Sequence, residues 1–102
     1  MTALIPPTVN LNGTSGLDLF KQADDVCAAL HDLRLAMGRA MPHGRDYQTS
    51  DMHACYKARE AHIERAVILD QIEKDYLGLR EAIFKQLPEK EWRGIELAQR
   101  KG

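Results

Sequence analysis

The chain has 102 residues, a length typical of a single domain. Hydrophobic residues make up 44% of it and charged residues 28%, which is too apolar for an intrinsically disordered protein. Fourteen basic residues face fifteen acidic ones. This balance excludes a generic nucleic-acid coat, which needs a surplus of Lys and Arg to displace counterions.

Two cysteines, Cys27 and Cys55, are too few for the disulfide framework of a small secreted protein, and both fall in predicted helices. The segment before Pro7 lacks the basic region and the apolar stretch of a signal peptide. The longest purely apolar run, Val26 to Leu30, is far shorter than the roughly 18 residues of a membrane span. We therefore expect a cytoplasmic protein with no membrane partner.

Residues 1–15 are predicted to form an extended arm, because they contain Pro6, Pro7 and an Asn-Gly pair. The arm also contains apolar residues that we expect to pack on the fold or on a neighbouring subunit: Leu4, Ile5, Val9 and Leu11. At its end, Ser15 is predicted to cap a helix, with Asp18 three residues later in place of the usual Glu.

The first helix is predicted over residues 16–41. Its apolar residues follow an unbroken heptad spacing typical of a coiled coil: Leu19, Ala23, Val26, Leu30, Leu33, Met37 and Ala40. Pro42 is expected to stop this helix, and a polar loop over 42–50 follows.

The second helix is predicted over residues 51–87, with a start signal at Thr49 or Ser50 and Asp51. One apolar stripe follows the heptad spacing: Leu69, Ile72, Tyr76, Leu79 and Ile83. A second, adjoining stripe consists of Met52, Tyr56, Ile63 and Val67. Residues 88–102 are expected to form a short C-terminal helix or to fray.

These elements predict an all-α protein built on a long antiparallel helical hairpin. If the loop is centred near Asp46, Leu17 faces Asp75, and the second helix extends roughly 11 residues beyond the start of the first. The apolar side chains of that extension need cover, and both helices carry wide apolar faces. The hairpin therefore favours a homo-oligomeric bundle, with itself as the first expected partner.

The loop concentrates an imidazole, a guanidinium, an aromatic ring and an amide within six residues. We predict ligand binding by His43, Gly44, Arg45, Tyr47 and Gln48. Arg45 would contact a phosphate or carboxylate, Tyr47 would stack on a base, and Gly44 would let the backbone come close. The structural alternative is that Arg45 pairs with Asp46 and that Tyr47 covers the end of the hairpin core.

No catalytic constellation is apparent, so we expect neither an enzyme nor a cofactor. No GxSxG motif and no glycine-rich phosphate loop is present. A zinc site at Cys27, His31 and His62 is the weaker alternative, because these side chains would converge if His31 lay level with His62. Packing or solvent roles for these three residues are more common.

Two segments together carry a resemblance: Asn10-Leu11-Asn12-Gly13-Thr14-Ser15, and Pro42-His43-Gly44-Arg45-Asp46-Tyr47-Gln48. In these motifs the chain resembles a group of small proteins of tailed phages and prophages of proteobacteria, over roughly residues 9–75. The resemblance implies a phage protein made in the bacterial cytoplasm. In layout alone the chain is also similar to phage sponge proteins, which are oligomeric helical hairpins that sequester cyclic nucleotides of bacterial immunity.

Three functions remain open at this point. The first is an anti-defence protein that sequesters a cyclic oligonucleotide or another nucleotide signal. The second is an inhibitor or adaptor that captures a host defence protein through an exposed helix face or the Trp92 segment. The third is a minor virion or assembly protein. The sequence does not identify the ligand, the stoichiometry or the host target.

Overall fold

The computed structural model of the protein describes residues 4–48 and 52–101. It contains three α-helices, α1 (Gly16–Arg39), α2 (Met52–Phe84) and α3 (Glu89–Lys101), and a short 3-10 helix at Gly44–Tyr47. No strand occurs in the described ranges, and α1 and α2 pack against each other. The predicted all-α fold built on a helical hairpin is confirmed. The start signal predicted at 49–51 lies outside the described residues.

Local signals set the helix ends. The hydroxyl oxygen of Ser15 accepts a hydrogen bond from the backbone N–H of Asp18 at 3.1 Å, so Ser15 caps α1 as its sequence position indicates. At the end of α2, the N–H of Gln86 and that of Leu87 donate to carbonyls three residues earlier, which tightens the last turn before Pro88. Pro88 stands just before α3 rather than inside it, and its carbonyl accepts from Glu91 and Trp92.

The chain forms two compact units, each combining parts of α1 and α2. We call residues 4–27 and 75–101 the terminal unit, and residues 28–48 and 52–74 the loop unit. The terminal unit holds a hydrophobic core of buried side chains: Phe20, Ala23, Ile83 and Leu87. The rings of Phe20 and Phe84 lie 5.9 Å apart, and Trp92 on α3 continues this aromatic contact.

In the terminal unit the arm packs on its own helices. The side-chain amide of Gln86 accepts from the N–H of Val9 and donates to the carbonyl of Pro7, both at 2.9 Å. A Cβ added at Gly78 would lie 3.1 Å from the side chain of Leu4, so the interior glycine of α2 marks a close contact with the arm. Leu4, Ile5 and Leu11 are nevertheless exposed on the single chain, so their cover by a neighbouring subunit stays a prediction.

The predicted register of the hairpin is wrong. In the terminal unit Arg80 pairs with Asp24 at 2.7 Å, and Phe84 lies beside Phe20, so α2 does not extend past the start of α1. Contacts of large apolar residues and ion pairs between the helices determine the register. The prediction had assumed instead that the chain turns at the midpoint of the loop.

The overhang instead lies in the loop unit. Arg34 contacts Asp70 and Glu73 of α2, which places the end of α1 near residue 65 of the antiparallel partner. About 13 residues at the start of α2, roughly 19 Å of helix, therefore extend beyond the end of α1. The described part of the loop unit contains one buried hydrophobic residue, Leu69.

Candidate functional site

The predicted ligand-binding loop forms an ordered turn, residues 43–48, in the loop unit. His43 has extended backbone angles, φ −113° and ψ 139°, and its Nδ1 accepts a hydrogen bond from the N–H of Arg45 at 3.2 Å. Its carbonyl also accepts from the N–H of Asp46 at 3.0 Å. The imidazole thus caps the Gly44–Tyr47 helix, and with Nδ1 as the acceptor a neutral ring carries its proton on Nε2.

Exposure divides the predicted site residues. His43, Gly44, Arg45 and Gln48 are exposed, whereas Tyr47 is half-buried. Arg45 forms no salt bridge with Asp46, which removes the predicted local pair. The guanidinium, the imidazole and the Gln48 amide therefore share one exposed turn, and part of the Tyr47 ring is covered by the chain itself.

The backbone at Gly44 borders open space. No described glycine has a positive φ, and a Cβ added at Gly44 would meet no atom within 4 Å. An alanine would therefore fit this turn. The open space is compatible with the close approach of a ligand, and that role of Gly44 stays a prediction.

The structure does not assemble the zinc alternative. His31 precedes Arg34 by one turn, so in this antiparallel pair it lies level with the turn after Glu73 and not with His62. Cys27 is buried, and both cysteines are reduced thiols. Among the described residues no group of three His, Cys, Asp or Glu side chains is placed to hold a metal ion.

The terminal unit has a groove that sequence analysis missed. Its volume is about 360 Å³, and its apolar lining comes from all three helices: Phe20, Leu77, Phe84 and Ile95. Arg80, Glu81 and Glu96 complete the lining, and Arg80 is already neutralised by Asp24 at 2.7 Å. Glu81 in turn pairs with Lys85 at 3.5 Å. No short sequence motif predicts this groove, because it is formed by residues from three helices.

Apolar surface is concentrated in the loop unit. Tyr56, Ile63 and Val67, three members of the adjoining stripe predicted on α2, are 62%, 52% and 63% exposed. Met52, the fourth member, has a side chain outside the described part of the chain. Exposed residues spaced seven and four apart form one apolar strip along α2, a surface suited to a protein partner.

The described residues include no buried polar or charged side chain. The candidate surfaces present hydrogen-bond donors at residues 43–48 and exposed apolar side chains along α2. None of the described helices combines the length and the apolar character needed to cross a membrane. Comparisons with models of protein families, with curated proteins and with solved structures gave no match to this chain.

Proposed function

We propose that this protein acts by binding and not by catalysis, as a phage anti-defence protein that sequesters a nucleotide-type signal of bacterial immunity. The ligand contacts would come from the turn at 43–48. Arg45 would bind phosphate through its planar fork, and Nε2 of His43 and the amide of Gln48 would add hydrogen bonds.

The observation that carries this proposal is the internal bonding of the turn. Because His43 Nδ1 holds the N–H of Arg45, the backbone under the guanidinium is fixed before any ligand arrives. A preorganised turn loses less conformational entropy on binding than a flexible loop would. Arg45 is exposed and forms no salt bridge with the adjacent Asp46, so its guanidinium donors are open to an anion.

A single turn presents one guanidinium, whereas a cyclic dinucleotide carries two phosphates. Two copies of the chain related by symmetry would present two turns, and such pairing matches a ligand of that kind. The proposal therefore expects the ligand to bind between copies of the protein.

Thermal unfolding against a panel of cyclic di- and trinucleotides and ADP-ribose derivatives tests the proposal. A ligand at 100 times its dissociation constant stabilises the native state by about 2.7 kcal/mol, which is a shift of several degrees for a domain of this size. The shift should disappear in Arg45→Ala and shrink in Arg45→Lys, which keeps the charge but loses the fork.

Arg59→Ala is the matched control, because Arg59 is also an exposed arginine of the loop unit. This variant should retain the full shift. A flat panel with folded protein, or a shift that survives in Arg45→Ala, would contradict the assignment of the site to this turn.

A second function is favoured by a different observation, the exposed strip Tyr56, Ile63 and Val67 on α2. A helix with such a strip can bind a host defence protein as an inhibitor or adaptor. Isothermal titration with a partner identified from cell lysate should then show affinity that is lost in Ile63→Glu and unchanged in Arg45→Ala.

A further inference from the structure

The outward side of α1 in the loop unit is an apolar face without cover. Four of its residues follow the spacing 4-3-4 and are all exposed: Ala29, Leu33, Ala36 and Ala40. Half-buried Leu30 and Met37 lie along one edge of this face. The N–H of Ala40 still donates to the carbonyl of Ala36 at 3.1 Å, so the helical geometry continues to the last of the four. We call these six residues the α1 outer face.

We propose that the α1 outer face binds the same face of a second copy of this chain, with the two α1 helices antiparallel. In a two-fold pair of this kind Leu33 packs against Ala36 of the other copy, and Ala29 packs against Ala40. Alanine at three of these four positions lets the two backbones approach closely. The proposal does not depend on the nucleotide-binding function.

The charges beside the face fit this pairing. Asp32 and Arg39 border the face on the side away from Leu30, seven residues apart. Asp32 directly precedes Leu33, and Arg39 directly precedes Ala40. In an antiparallel pair these two flanking positions lie opposite each other, so Asp32 faces Arg39 of the other copy, and the two-fold axis generates this contact twice. Neither residue forms a salt bridge with another described residue.

The opposite edge of the α1 outer face is apolar, and its residues also contact each other across the two-fold axis. In the same register Leu30 meets Met37 of the other copy, again twice. One two-fold register therefore pairs unlike charges along one edge and apolar side chains along the other. Binding to a different protein would not require the face to be complementary to itself, so this symmetry favours a second copy of the chain as the partner.

The second helix adds to the same side of the loop unit. Arg34 and Glu73 are bonded at 3.1 Å, and antiparallel helices are related by a two-fold rotation. Leu33 directly precedes Arg34, and Ile72 directly precedes Glu73. The two-fold relation therefore places Leu33 and Ile72 on the same side of the pair formed by α1 and α2. They are 47% and 40% exposed. Burying both in a four-helix arrangement would supply the core that the described part of the loop unit lacks.

Exchange of the two charges tests this pairing. By light scattering and sedimentation equilibrium, the wild-type chain should have a mass of at least twice 11.5 kDa. Asp32→Arg or Arg39→Asp alone places like charges opposite each other twice, and should weaken association about 10-fold or more. The double variant Asp32→Arg with Arg39→Asp restores unlike pairs and should return association to within a few-fold of wild type.

These substitutions are on the exposed surface, so circular dichroism should show an unchanged helix content. Leu33→Glu should also dissociate the complex, whereas Leu97→Glu at an exposed position of α3 should not. A wild-type chain that is monomeric at all concentrations would overturn the proposal. So would association that neither single charge reversal weakens, or that the double variant fails to restore.

Cross-linking tests the direction of the helices. With Cys55 replaced by alanine and Cys27 left in its buried position, Ala29→Cys and Ala40→Cys chains are mixed and oxidised. An antiparallel pair predicts a disulfide-linked heterodimer and little product from either chain alone. Efficient linkage within the Ala29→Cys chain alone would show a parallel contact and would overturn the proposed pairing.

Discussion

The guanidinium of Arg34 on α1 lies 3.1 Å from the carboxylate of Asp70 on α2 and also 3.1 Å from that of Glu73. The fork of one arginine thus spans two carboxylates that are one helical turn apart. Lys74 contacts the other oxygen of Asp70 at 3.0 Å. The hydrogen bonds to Glu73 and then to Asp70 raise the pKa of Arg34, so the guanidinium stays charged. This network specifies the register of the helices in the loop unit.

The first prediction is a pH dependence from Asp70. The hydrogen bonds from Lys74 and then from Arg34 lower the pKa of Asp70 below its ordinary value of 3.8. A carboxylate with a lowered folded pKa stabilises the native state above its unfolded pKa, and this stabilisation is lost as the pH falls through the lower folded value. The Tm of the wild type should therefore fall more steeply on acidification below about pH 4 than that of Asp70→Asn.

Glu64→Gln is the control for that measurement, because Glu64 is an exposed carboxylate of the same unit that forms none of the observed salt bridges. Its Tm should follow the wild-type curve. Parallel curves for the wild type and Asp70→Asn would show that the network contributes nothing to the pH dependence.

The sequence predicts the helices well because their ends depend on neighbouring residues. Ser15, Pro42 and Pro88 act within one turn, and α1 begins at Gly16 as predicted. The register depends on Arg34 and Phe20 meeting residues far along the chain, and no local signal encodes these contacts. The midpoint of the loop did not predict which residues face each other, because the start of α2 extends beyond the end of α1.

The candidate site was predictable in composition and not in geometry. The residue types at 43–48 are enough to indicate donors for an anion. The residue types alone do not show that His43 uses Nδ1 to cap the turn or that Tyr47 is half-buried. The groove of the terminal unit combines residues from three helices, so its lining could not be identified from spacing along the sequence.

The second prediction concerns the anchoring of the arm by Gln86. Removing the amide in Gln86→Ala should destabilise the protein by about 1 kcal/mol, because two hydrogen bonds to the arm are lost at an exposed site. Gln86→Glu keeps the acceptor for Val9 and loses the donor to Pro7, so its effect should be intermediate. Denaturant unfolding measures both values.

Hydrogen exchange separates this local effect from a general one. The amide of Val9 should exchange faster in Gln86→Ala, while the core amides of α2 should change only with global stability. Lys90→Ala, at an exposed position of α3 in the same unit, should leave Val9 unaffected. Unchanged protection of Val9 in Gln86→Ala would contradict the anchoring role.

The third prediction compares two glycines of α1. A Cβ at Gly16 would lie 2.6 Å from Leu87 and 3.1 Å from Val9, so Gly16→Ala should destabilise by about 1–2 kcal/mol through overpacking. A Cβ at Gly38 would meet nothing within 4 Å, and Gly38→Ala should stabilise the helix by up to about 1 kcal/mol. Chemical denaturation measures the free energy of unfolding of both variants. If the two substitutions change it in the same direction, packing against the arm does not limit residue size at Gly16.

The fourth prediction tests the docking of α3 through Trp92. Its ring lies 6.4 Å from that of Phe84, and the guanidinium of Arg93 lies 5.8 Å from the same indole. Because Trp92 is half-buried, Trp92→Ala should destabilise by about 2 kcal/mol, less than the 3–5 kcal/mol typical of a fully buried aromatic. Trp92→Phe should recover part of the loss, since it keeps an aromatic ring against Phe84.

Leu97→Ala is the matched control on the same helix, because Leu97 is 56% exposed and lies outside the residues packed on the core. It should change the free energy of unfolding by less than about 0.5 kcal/mol. The emission of Trp92, the chain's one tryptophan, should shift to longer wavelength in the same denaturant transition that melts the helices. An indole that becomes solvated well before the helices unfold would show that α3 is not part of the terminal unit's cooperative core.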